Sequence, residues 1–74
     1  MDERMNDLTP REEQAIQFIK NQVSEKGYPP SIREIADYFG VNSVSWIHHL
    51  LSSLQRKGRI EREPNRPRAI RILG

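Results

Sequence analysis

The 74-residue chain has no cysteine. Disulfides, zinc–thiolate clusters and thiol catalysis are therefore excluded. No unbroken apolar run exceeds three residues, far short of the roughly 20 that a membrane helix requires. The opening MDERMNDL is polar and acidic and lacks the apolar centre of a signal peptide, so a cytoplasmic location is expected. No glycine-rich phosphate loop occurs, and the acidic residues fall mainly at helix caps or on exposed helix faces. A chain this short makes one domain and buries only about 60% of its unfolded surface. It leaves little room for a shielded site, and no enzyme is expected. Internal repeats and low-complexity stretches are also missing.

Charge is present but unevenly placed. Residues 1–40 carry five Lys/Arg against eight Asp/Glu, whereas residues 41–74 carry seven against two, within a net charge of +2. The basic half holds Arg56, Lys57, Arg59, Arg62, Arg66, Arg68 and Arg71. Such polarity fits a polyanionic partner at the C-terminal half; a merely solvated basic face would look the same from charge alone.

Caps and periodicity predict three helices. Thr9 is an N-cap, Pro10 suits the first helical position, and Glu12 returns to close a capping box. Ala15, Ile16, Ile19 and Val23 follow at helical spacing with Phe18 beside them, and Lys26-Gly27 ends the helix. Tyr28-Pro29-Pro30 is a stiff extended connector. Ser31 and Glu34 repeat the capping box; Ile32, Ile35, Ala36 and Phe39 make a buried stripe that stops at Gly40. Ser43 is placed to cap a third helix, about 43–57, which buries Val44, Ile47, Leu50, Leu51 and Leu54 and ends at Gly58. Ser45, His49, Ser52 and Arg56 lie opposite that stripe, with His48 on one flank and Trp46 and Ser53 on the other. Beyond Gly58, residues 59–63 and 68–73 alternate loosely as half-exposed strands around a Pro64-Asn65-Arg66-Pro67 turn.

The expected fold is mainly α with a small β-hairpin, a three-helix winged helix-turn-helix over residues 9–73 behind a flexible segment, 1–8. The geometry suits DNA. A major groove about 12 Å wide admits one helix, and the preceding helix braces it across the backbone. Small Ala36 allows close helix crossing and Gly40 a tight corner. In the common pattern an aliphatic side chain follows that alanine by ten residues; here Trp46 holds that place and Ile47 the next. The corner is accordingly expected to be one residue longer.

Four segments together carry a specific resemblance: Gly27-Tyr28-Pro29-Pro30-Ser31, Glu34-Ile35-Ala36, Leu54-Gln55-Arg56-Lys57-Gly58 and Arg66-Pro67-Arg68-Ala69-Ile70. From about Leu8 to Leu73 the chain resembles the N-terminal DNA-binding domain of LexA repressors. The resemblance implies a bacterial or phage-encoded repressor of DNA-damage (SOS) genes, which binds palindromic operators as a dimer. In that family a C-terminal domain supplies the dimer contacts and a self-cleaving Ser/Lys pair. Neither is in these 74 residues, so an isolated module is expected, either an excised domain or a short phage or plasmid regulator with a different operator. Val44-Ser45-Trp46-Ile47-His48-His49 is bulkier than the family's usual segment, and Leu50 replaces a frequent histidine.

Ser43, Ser45, Trp46, His48 and His49 are the candidate base-contacting residues, because short polar groups near the start of the third helix meet base edges. Trp46 has two open readings, a thymine-methyl or sugar contact and a core position against the hairpin. Arg11, Ser31, Ser52, Arg56, Lys57, Arg66 and Arg68 are candidate backbone contacts, with Arg68 at the family's matching wing position. Neighbouring histidines diverge by about 100° on a helix, and without a third ligand no metal or other cofactor is expected. The expected partner is double-stranded DNA, with no membrane contact. The isolated chain is expected to be monomeric and to dimerise on DNA or through the missing domain. The competing reading is a winged helix that docks a protein without reading DNA.

Overall fold

The computed structural model describes residues 8–63 and 70–73. In it α1 spans Pro10–Lys26, α2 Ile32–Phe39 and α3 Val44–Arg56, followed by strands β1, Ile60–Arg62, and β2, Ile70–Ile72. The two strands pair antiparallel in the register Ile60–Ile72, Glu61–Arg71 and Arg62–Ile70. The expected segment 1–8, except for Leu8, the turn bearing Arg66, and Arg68 at the start of the expected second strand lie outside the described residues. Among the described residues each strand runs to three residues; residues 68 and 69 of the expected second strand lie outside them.

Local chemistry sets the helix ends. Thr9 Oγ1 accepts the Glu12 amide at 3.2 Å, and the Glu12 carboxylate accepts the Thr9 amide at 2.9 Å. Ser31 and Glu34 repeat the circuit at 3.1 and 2.8 Å. Gly40 takes a left-handed φ of 69° and donates its amide to Ala36 and Asp37 carbonyls. That conformation turns the chain in four residues, 40–43, between α2 and α3, and a side chain there would strain the backbone.

Eleven buried apolar residues form one core: Ala15, Ile16 and Ile19 of α1, Ile35 and Ala36 of α2, Ile47, Leu50, Leu51 and Leu54 of α3, and Ile60 and Ile70 of the hairpin. Each element contributes, which explains how so short a hairpin is held: its two isoleucines reach the helices' common core. Phe39 packs only partly buried against this cluster. Two expected core positions are exposed instead. Val44, 43% exposed, opens α3 beyond the edge of the core, and Val23, 41% exposed, lines an open groove between α1 and the hairpin. Helical spacing places them on the right side of their helices, but near the helix ends no described residue covers them. Among the described residues no helix is long and apolar enough to cross a membrane.

Candidate nucleic-acid interface

Because Ile47, Leu50, Leu51 and Leu54 are buried, the helical repeat turns the opposite face of α3 to solvent. Ser45, His49 and Arg56 are exposed on it and Ser52 is half-buried. His48 and Ser43 are also exposed, at the flank and at the start of the helix. Ser43, Ser45, His48 and His49 of the sequence-predicted set are thus exposed around the N-terminal half of α3. Ser43 holds the N-cap position, but its hydroxyl makes no capping bond. The expected cap is therefore open. Its ψ of 114° differs from 161° at Thr9 and 168° at Ser31, and so does not aim the hydroxyl at the N3 amide.

The two flanks of α3 are held by different neighbours. On one, Arg62 of β1 donates from Nη2 to Ser52 Oγ at 3.2 Å and from Nε to Gln55 Oε1 at 3.3 Å. On the other, Ser53 Oγ donates to Glu12 Oε2 at 2.5 Å, and Lys57 Nζ meets Glu12 Oε1 at 2.7 Å. Trp46 shares this second flank. Its ring lies edge-on to Phe39 with centroids 5.4 Å apart, and the Arg11 guanidinium sits 5.8 and 5.9 Å from the Phe39 and Trp46 centroids. The hairpin reaches the opposite flank, so the reading of Trp46 as a core residue packed on it is corrected. The indole, 36% exposed, is a surface residue braced by α2. Phe39 continues through Tyr38 to Phe18, whose rings stack at 4.3 Å.

The predicted backbone contacts divide. Arg56 is exposed at the end of α3, and Arg11 is exposed over the aromatic pair. Ser31 uses its hydroxyl oxygen as a cap acceptor. Lys57 differs from its expectation as a solvent-facing clamp: its side chain is only 20% exposed, and its ammonium is turned onto Glu12. Arg71 pairs across the strands with Glu61. Arg66 and Arg68 lie outside the described residues.

Sequence reasoning took Glu12 as a cap alone. Its carboxylate is buried and receives the Thr9 amide, the Ser53 hydroxyl and the Lys57 ammonium. Burial pushes its carboxyl up, but the hydrogen bonds from Lys57, Ser53 and the Thr9 backbone outweigh that and lower it from 4.5 to about 2. The available signal was Ser53 and Lys57, one turn apart on a flank of α3 that carries no apolar stripe. Gln22 was missed too; it is buried and donates to Glu34 Oε1 at 3.3 Å. Among the described residues, no group of three or more His, Cys, Asp or Glu is placed to hold a metal ion.

The comparisons agree with the geometry. A family model described as the LexA DNA binding domain matches residues 5–69. The LexA repressor of Bacillus mycoides (strain KBAB4) is 53% identical over 70 residues, which cover 95% of this chain and 34% of that protein. LexA repressor 2 of Nocardia farcinica (strain IFM 10152) is 52% identical over 68 residues, covering 92% of this chain and 28% of its own length. The chain thus spans about a third or less of the curated relatives it matches.

Proposed function

Because the chain belongs to the LexA DNA-binding domain family, we propose that it is the operator-binding module of an SOS-type transcriptional repressor acting in the cytoplasm. The module, residues 9–73, binds without catalysing. Helix α3 lies in the major groove, with Ser45 and His49 toward base edges and Ser43, Trp46 and His48 at the margins of the same contact. Arg11, Ser31, Ser52 and Arg56 meet the sugar-phosphate backbone, and the hairpin follows it as a wing with Arg66 and Arg68 on phosphates. One chain covers one half of a palindrome and is a monomer when free of DNA.

The observation that carries this reading is the solvent face of α3, where short polar side chains surround His49 and the exposed Arg56 closes the row. Base contacts contribute discrimination of roughly 1–3 kcal/mol each, while phosphate contacts position without discriminating. Ser45→Ala and His49→Ala are therefore expected to weaken binding to an operator more than to a scrambled duplex. The operator itself comes from selecting random duplexes with this chain, where an enriched palindrome is expected. Equal losses on both duplexes, or no enriched sequence, would overturn the assignment.

A further inference from the structure

We propose that Glu12 is a positioning residue that restrains sequence-independent DNA binding, by withdrawing the Lys57 charge from the backbone and fixing α3 against α1. The inference rests on α3 being the DNA-binding helix, as proposed above.

Lys57 and Ser53 project from successive turns of one flank of α3 and close on a single carboxylate. That carboxylate is almost fully covered, its side chain 5% exposed against 20% for Lys57. The Thr9 amide holds it from its own helix, so it cannot follow Lys57 outward without opening the first turn of α1. A lysine on a phosphate adds one released counterion to binding, whatever the base sequence. A lysine held 2.7 Å from a buried carboxylate adds little, because its partner would be left without a counter-charge. Arg62 grips the other flank through Ser52 and Gln55. The reading face of α3 is thus steadied from both sides while Lys57, the cation just beyond its C-terminal end, stays occupied. Affinity then depends more on the groove-facing groups and less on total charge.

Glu12→Gln isolates this role. Glutamine also closes a capping box, so the start of α1 is retained while the charge is removed. On a scrambled duplex, Glu12→Gln is expected to raise affinity roughly fivefold near 0.1 M salt and to steepen the salt dependence by about one unit. The operator is expected to gain less, since α3 loses a restraint on its rotation, so the ratio of operator to scrambled affinity falls. Lys57→Met alone should leave the salt dependence on the scrambled duplex unchanged, and the double variant should return to the Lys57→Met value. Circular dichroism establishes that each variant is folded, and Lys57→Met tests the idea by itself should Glu12→Gln not fold. A salt dependence unaltered by Glu12→Gln, or one that Lys57→Met flattens by a unit, overturns the proposal. Either result leaves the DNA-binding reading standing if Ser45→Ala and His49→Ala still lose discrimination. If those two lose none, it is the reading of α3 that fails.

Discussion

At Thr9 and Ser31 the first turn closes on itself, hydroxyl to the N3 amide and glutamate back to the cap amide; at Ser43 the turn is open. The N3 residue of α3 is Trp46, which has no oxygen to send back. The two bracing helices thus settle their ends within the protein, and both their glutamates go on to join a second element, Glu12 to Ser53 and Lys57 and Glu34 to Gln22. Helix α3 instead leaves its first hydroxyl without a capping bond, at the end where the helix dipole is positive. The two closed starts belong to helices whose cap glutamates also grip a neighbouring element, and the open one begins the helix proposed to read DNA.

That contrast is most exposed to test at Glu12. Glu12→Ala removes the return bond of the cap and strands both Ser53 and Lys57; a loss of about 3–4 kcal/mol is expected, measured by urea unfolding. A loss under about 1 kcal/mol would mean that the start of α1 is no better secured than that of α3. Acid probes the same circuit without mutation. Because the folded carboxyl is lowered to about 2 from 4.5, its stabilisation is complete above about pH 4.5 and disappears as pH falls toward 2. The expected loss is about 2–3 kcal/mol. Urea titrations between pH 2 and 6 should show this slope, and in Glu12→Gln the share owed to this residue should vanish.

Smaller effects distinguish the caps themselves. Thr9→Ala and Ser31→Ala are each expected to lower stability by about 1 kcal/mol, the usual value of a cap hydroxyl. Ser43→Ala should change stability by less than about 0.5 kcal/mol while weakening operator binding, because its hydroxyl supports no fold contact. Thermal unfolding beside duplex titration makes the comparison, and a Ser43 loss matching that of Ser31 would erase the distinction between closed and open starts.

The helices were legible because their boundaries are written locally: Thr9 to Glu12, Ser31 to Glu34, and glycines at 27, 40 and 58. The solvent face of α3 was equally legible, since four apolar positions fix its rotation and place Ser45 and His49 outward. Ser43 shows the limit of such reading. A serine in the right place caps only if backbone rotation aims its hydroxyl, and the four-residue corner sets a different ψ. The clamp at Glu12 was hidden for another reason. Its partners lie 41 and 45 residues away, and no local pattern encodes which flank of α3 will meet the first turn of α1. The same holds for Arg62 on Ser52 and for Trp46 on Phe39, contacts that exist only once the helices have crossed.

The packing of Trp46 also gives the protein a built-in optical reporter. It is the only tryptophan in the chain, so all indole emission arises from the third residue of α3. The ring stands edge-on to Phe39 with a guanidinium nearby, which fixes its orientation in an asymmetric field and gives it a near-ultraviolet dichroic band. A nucleobase brought beside that ring quenches its fluorescence, while a duplex that touches only the hairpin leaves the emission as it was. Entry of α3 into a groove, as proposed, can therefore be timed in a stopped-flow mixer with no dye attached to either molecule, while contact through the hairpin alone stays silent.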